Sequence, residues 1–163
     1  MIELRELVED DKDQLIHHLN NENVVRFLSS RIPSPYTEVD AHWWINEGSK
    51  AEIVRSITFS GNFVGIIGVR RDALEKSHRG EIGYWIGQPF WGKGIATEAL
   101  HIMCQIIFCK TDIVQLYAPV FSPNEGSKRV LTKNGFELEG VITKGILKDG
   151  AYYDECIYCR SSS

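Results

Sequence analysis

An α+β fold is what this sequence predicts, and three observations carry the prediction. Runs that alternate apolar and polar residues interleave with runs of helical spacing, instead of falling into separate blocks. Two pairs of the alternating runs meet across glycine turns, at Gly61-Asn62 and at Asp149-Gly150, the mark of hairpins. Helices mixed with hairpins in this way indicate an α+β sheet rather than an all-parallel one.

The elements follow in order. Ile2 to Leu7 alternates as an edge strand. Asp10 or Asp11 can cap a first helix carrying Leu15, Ile16 and Leu19. Ser29 to Tyr36 holds two prolines and reads as loop. Thr37-Glu38-Val39-Asp40 resembles a capping box and opens a second helix with Trp43, Trp44 and Ile45. Arg55 to Ser60 and Phe63 to Arg70 pair across Gly61-Asn62, and Gly80 to Ile86 is the next strand. In the helix that follows, Leu100, Met103, Cys104, Ile107 and Phe108 recur at i, i+3, i+4, i+7, i+8, which makes a core stripe. Ile113 to Phe121 is a strand, and Asn124 to Lys133 a short helix stopped by Asn134-Gly135. Phe136 to Ile146 and Tyr152 to Cys159 then form the last hairpin. There is no repeat, low-complexity tract or linker, so residues 1–163 read as a single domain with a core large enough to fold alone.

The passage from strand to helix at residues 80–100 carries the chemistry. Trp91-Gly92-Lys93-Gly94-Ile95-Ala96-Thr97 sits where a helix begins. Two glycines and an alanine let the backbone approach a ligand, and the amides of a helix N-terminus point at it. With the helix dipole this makes an anion site, most naturally for the pyrophosphate of a cofactor. A P-loop reading fails, because Lys93 lies between the glycines and Ile95 follows Gly94. A dinucleotide fingerprint is weak: Thr97 holds the third glycine position, and Asp112 precedes the next strand instead of ending it. An ordinary strand–helix turn that binds nothing is the remaining alternative. Glu98, in the first helical turn, is favoured there by the dipole and reads as outward-facing.

Composition sets limits. Hydrophobic residues at 43% and charged residues at 25% are those of an ordinary globular protein. No stretch approaches the roughly 20 apolar residues of a membrane span. The start, MIELRELVEDDKD, has no apolar core of a secretion signal, so a cytoplasmic location is expected. A net charge of -4 argues against a general nucleic-acid binder. Cys156 and Cys159 have zinc-ligand spacing, but on a strand residues three apart point to opposite faces. Cys104 and Cys109 do not share a helix face either, and His17, His18, His42, His78 and His101 show no ligand spacing. No metal is expected, and the thiols read as reduced, buried small hydrophobes.

The same residues resemble a known family. Strand, then Trp-Gly-Lys-Gly-Ile-Ala-Thr-Glu-Ala, then helix looks like motif A of the Gcn5-related N-acetyltransferases (GNAT), in the branch that acetylates ribosomal-protein N-termini. Gly94 and Ala96 match the last fixed positions of Gln/Arg-x-x-Gly-x-Gly/Ala, and Trp91 departs from the first. Ser122-Pro123-Asn124-Glu125-Gly126-Ser127, closing at Asn134-Gly135-Phe136, resembles the family's Asn-x-x-Ser helix and its exit. The resemblance runs from about Ile2 to Arg160.

It implies a mixed, strongly twisted central sheet, flanked by helices and splayed between its fourth and fifth strands. The cosubstrate it implies is acetyl-CoA, with its pyrophosphate at Gly92, Lys93, Gly94, Ile95, Ala96 and Thr97 beside Trp91. The pantetheine would pair with the strand ending at Ile86, and Gly83 and Gly87 bracket that strand as for a bulge or close ligand approach. Backbone amides of Trp85, Ile86 and Gly87 would serve the acyl oxygen as it turns negative. Transfer would be direct, with no cysteine nucleophile. Glu81 is the carboxylate that would take the amine's proton, with a strand-end salt bridge as its equal alternative. Asn124 and Ser127 either cap the helix or hold the cofactor. No tyrosine stands between Asn124 and Lys133 to protonate the thiolate, and Ser127 is the nearest substitute. The acceptor pocket would be built from Phe27 to Tyr36 and Thr143 to Tyr153. The acceptor is expected to be the N-terminal amine of a protein such as a ribosomal protein. A small amine (polyamine, amino sugar or antibiotic) and a non-catalytic CoA-binding module are the alternatives. The chain would act as a monomer or homodimer, without nucleic acid or membrane.

Overall fold

The structure, a computed structural model, describes residues 1–162. Its strands are Ile2–Arg5 (β1), Ile53–Phe59 (β2), Asn62–Arg71 (β3), Arg79–Ile86 (β4), Gln115–Phe121 (β5), Glu137–Lys148 (β6) and Ala151–Ser161 (β7). The α-helices are Lys12–Leu19 (α1), Glu22–Val25 (α2), Glu38–Asn46 (α3), Ile95–Lys110 (α4) and Glu125–Lys133 (α5). The strands follow one another in the sheet as β1-β2-β3-β4-β5-β7-β6. The pairs β1–β2, β2–β3, β5–β7 and β6–β7 are antiparallel, and β4–β5 is parallel. The sheet is therefore mixed, as the α+β reading expects. The chain divides into two compact units, one of residues 1–69 and 83–99, the other of residues 70–82 and the chain from Leu100 on.

In the first unit, Leu7, Leu15, Leu19, Tyr36, Ala41, Ile45, Val54, Phe63 and Ile66 form one buried cluster. The apolar positions of α1 and α3 thus close over the inward residues of β2 and β3. Thr37 caps α3 with Asp40 in a full capping box, as its sequence suggests. The first helix differs. Asp11 occupies its N-cap position but makes no capping bond. Its carboxylate is buried and turned instead to Arg5, the Val8 N–H and the Ser56 hydroxyl. The β2–β3 turn also sits one residue earlier than expected. Phe59 pairs with Asn62, so Ser60 and Gly61 are the turn residues, both at positive φ (50° and 83°). That is the left-handed pair a two-residue hairpin turn requires.

In the second unit, the β4–β5 ladder joins Arg79–Glu81 to Gln115–Tyr117 and stops there, while β4 itself continues to Ile86. On α4, Leu100, Met103, Cys104 and Ile107 are buried, as their spacing requires. Leu116, Ala118, Val120, Leu131, Phe136, Cys156 and Tyr158 are buried in the same unit. β6 is an edge strand bulged at two places, between Leu138 and Gly140 and between Ile142 and Ile146. The β6–β7 turn is Asp149-Gly150, as expected, at φ 51° and 79°.

Candidate active site

The glycine loop has the geometry its sequence promises. Gly92 and Gly94 adopt φ of 74° and 75°, a region L-residues avoid, and a side chain added at either would meet open space. The loop therefore needs glycine for its path and leaves clear room above its backbone. The helical ladder of α4 opens with Glu98 N–H to Gly94 O at 3.1 Å. The N–H groups of Ile95, Ala96 and Thr97 lie ahead of that ladder, at the positive end of a 16-residue helix. Ile95 anchors the turn in the core, Ala96 and Thr97 are half-buried, and Glu98 is exposed and so faces outward, as read from the sequence. A glycine turn at a helix N-terminus is the arrangement that favours an anionic group.

Trp91, the departure from the family pattern, does something its sequence did not signal. Its indole Nε1–H donates to the Ile86 carbonyl at 2.7 Å and so ties the loop's entrance to the end of β4. The turn between them is held from the other side. Asn21 and Asn23 both donate through Nδ2 to Gln88 Oε1, at 2.9 and 3.1 Å. Lys93 extends its ammonium to 5.9 Å from the Phe90 ring centre.

Backbone hydrogen bonds flank the strand that leads to the loop. The bonds Gly87 N–H to Val64 O (2.8 Å) and Asp72 N–H to Arg79 O (3.0 Å) share one register. β3 is irregular beside Val64, where its register against β2 shifts between Ile57 and Thr58. Of the amides of Trp85, Ile86 and Gly87, that of Gly87 already donates to the Val64 carbonyl. Gly87 is also glycine for a packing reason: a Cβ there would lie 2.4 Å from the His18 ring. Gly83, by contrast, faces open space.

Glu81 lies in a small charged group that sequence reasoning did not assemble. Its carboxylate meets the Arg70 guanidinium at 3.0 Å, and Tyr117 is its partner on β5. The Tyr117 hydroxyl donates to Asp72, and the Arg79 guanidinium lies 4.4 Å from the Tyr117 ring centre. Burial, then the bond to Asp72, pushes the Tyr117 phenol up to about 12, so it stays protonated. Burial and the nearby Glu81 charge raise the Glu155 carboxyl. The salt-bridge reading of Glu81 is thus realised, and it leaves the carboxylate half-exposed. Arg70, Asp72, Tyr117 and Glu155 gave no signal beyond alternation. At α5, Asn124 Oδ1 accepts from the Ser127 N–H at 3.2 Å, so the capping role is realised for Asn124.

The thiols are all free: Cys104 and Cys156 are buried, Cys159 is half-buried, and Cys109 is exposed, contrary to the expectation that all four are buried. Cys109 lies off the α4 stripe, which accounts for its exposure. Among the described residues no group of three or more His, Cys, Asp or Glu is arranged to hold a metal ion. No helix among them is long and apolar enough to cross a membrane. A cleft of about 300 Å³ lined by Gly135, Glu137, Glu139, Cys159, Arg160 and Ser161 includes none of the candidate catalytic or cofactor-binding residues.

A glycine loop that opens a helix under open space is a candidate anion site, and comparison with known proteins gives the class of the chain. Residues 2–137 match the acetyltransferase (GNAT) domain, and the chain belongs to that family. It is 28% identical over 162 residues to YoaA, an uncharacterized N-acetyltransferase of Bacillus subtilis, covering 95% of this chain and 90% of that one. It is 30% identical over 98 residues to the ribosomal-protein-serine acetyltransferase of Escherichia coli, covering 60% of this chain and 54% of that one. Its fold matches that of RimL, a ribosomal L7/L12 alpha-N-protein acetyltransferase solved with coenzyme A, at a TM-score of 0.86 and 20% identity over 98% of this chain and 93% of that one. The protein is an N-acetyltransferase of the GNAT family.

Proposed function

We propose that the chain transfers an acetyl group from acetyl-CoA to the N-terminal amine of a protein, such as a ribosomal protein. The observation that carries the cosubstrate is the loop in which Gly92 and Gly94 take positive φ under open space at the start of α4. The similarity to the ribosomal-protein-serine acetyltransferase supports the acceptor.

In this reading the N–H groups from Gly92 to Thr97 hold the pyrophosphate, which the α4 dipole favours. The Ile86 N–H donates to the acyl oxygen as it gains charge. The amine nitrogen attacks the acyl carbon: a C–N bond forms, the C–S bond breaks, and the electron pair leaves with sulfur. The amine's surplus proton goes to the Glu81 carboxylate, which Arg70 holds in place. Ser127 gives its hydroxyl proton to the thiolate and recovers one from solvent. Asn124 fixes the turn that carries Ser127.

A thiol-release assay with acetyl-CoA tests the acceptor. Peptides beginning with alanine or serine should be turned over, and spermidine and an amino sugar should not. Turnover of the small amines alone would overturn the acceptor. Binding of acetyl-CoA with no turnover on any of them would make the chain a non-catalytic binding module.

A further inference from the structure

His18 ends the apolar stripe of α1, yet it is 2% exposed and its Nε2 has no hydrogen-bond partner. Its ring lies over the Cα of Gly87, which is glycine to admit it. Trp85 and Phe90 flank the ring, with centres at 6.0 and 6.2 Å. A phenylalanine or leucine would fill the same space and leave no nitrogen stranded at the full desolvation cost of that group. The imidazole is also neutral at ordinary pH, because burial, and then the neighbouring His17, lowers its basicity. Its position is equally specific. It sits where β4 ends, against Gly87 and between Trp85 and Phe90, at the start of the turn that leads to the glycine loop.

We propose that His18 is a further catalytic residue of this transferase, its Nε2–H donating to the acyl oxygen of bound acetyl-CoA alongside the Ile86 N–H. The inference rests on the acetyl-CoA site described above. A neutral imidazole suits the task, since a donor that keeps its proton polarises a carbonyl without titrating. Nε2 has no accessible surface in the free chain. The contact therefore requires that the Phe90-Trp91 turn moves aside when acetyl-CoA binds.

Nitrogen NMR of the imidazole-labelled parent protein tests this directly, with the His18 signal assigned by its loss in His18→Gln. Saturating acetyl-CoA should move the Nε2 resonance, and saturating CoA, which lacks the acyl oxygen, should not. Identical Nε2 shifts in the two complexes would overturn the role of His18 while leaving the cofactor site standing. Failure of acetyl-CoA to bind by calorimetry would overturn both. Kinetics give a second readout on whichever acceptor is turned over. His18→Phe should lower kcat about 100-fold, the usual loss for one oxyanion donor, with KM for acetyl-CoA little changed. His18→Gln, which carries an N–H at a similar reach, should recover at least about tenfold of that loss. Parental kcat in His18→Phe would also overturn the proposal, and if that variant does not fold, the parent spectra decide.

Discussion

Asp11 keeps its charge in the interior because three groups converge on it. Arg5 binds both carboxylate oxygens at 2.8 and 2.9 Å, the Val8 N–H donates at 3.1 Å and the Ser56 hydroxyl at 2.9 Å. Burial alone would raise its carboxyl; Arg5, Val8 and Ser56 together outweigh that and hold it below the usual range. A depressed folded value means that the contribution is whole above the unfolded pKa of about 3.9 and fades as pH falls through the folded one. Asp11→Ala should cost about 2–3 kcal/mol at pH 7, the lower part of the range for breaking a buried pair, because Arg5 is 39% exposed to screening water. Urea denaturation at pH 7 and pH 3 should show parent and variant converging in acid. Gly87→Ala should cost about 1–3 kcal/mol by forcing the His18 ring aside, read as a lower Tm. Ala96→Trp should abolish CoA binding in calorimetry with an intact circular dichroism spectrum, since the bulk would fill the space over the loop. At this scale the sequence exposed what is local. Thr37 with Asp40, and Gly92 with Gly94, act within a few residues of themselves. Asp11, His18 and Trp91 take their roles from partners that the fold delivers, and spacing alone offers no hint of Ser56 or Gly87.

Elements are legible where a period and a stop signal coincide. α4 shows both its stripe and its glycine opening, and the β6–β7 turn was visible as Asp149-Gly150. The four-residue helix α2 was not anticipated, because it is too short to show a period. The β2–β3 turn slipped by one residue because Ser60 takes a positive φ that its residue type does not advertise. Asn21, which caps α2, and Asn23 within it give that region its purpose: they hold Gln88, a residue 67 positions away from Asn21, and with it the turn before the glycine loop. Asn124 is the comparable device on α5. Asn124→Ala should destabilise the protein by about 1 kcal/mol through the lost cap. If Asn124 and Ser127 also hold the cofactor, the same change should weaken acetyl-CoA binding, which calorimetry separates from the stability loss.

Across the whole molecule the four thiols report the packing. Burial pushes Cys104 up to about 11, so it offers no ready thiolate, and Cys156 is buried out of a reagent's reach. A disulfide-exchange reagent should label Cys109 first, Cys159 more slowly, and Cys104 and Cys156 only on unfolding. Rapid labelling of Cys104 in the native protein would contradict its place in the α4 stripe. All four should react in unreduced denaturant. The bulges in β6 bear on a different property, colloidal behaviour. β6 is an edge strand of 12 residues with Leu138, Val141 and Ile142 exposed, a composition that invites strand-to-strand polymerisation. Lys144, at φ 53° and with its N–H donated to the Asp154 carboxylate, bends the ladder out of line between Ile142 and Ile146. A growing fibril finds no straight template there. Deleting Lys144 and Gly145, the two residues in excess of the single Asp154 opposite, would straighten this stretch of the edge and should yield a chain that scatters light and binds thioflavin on standing.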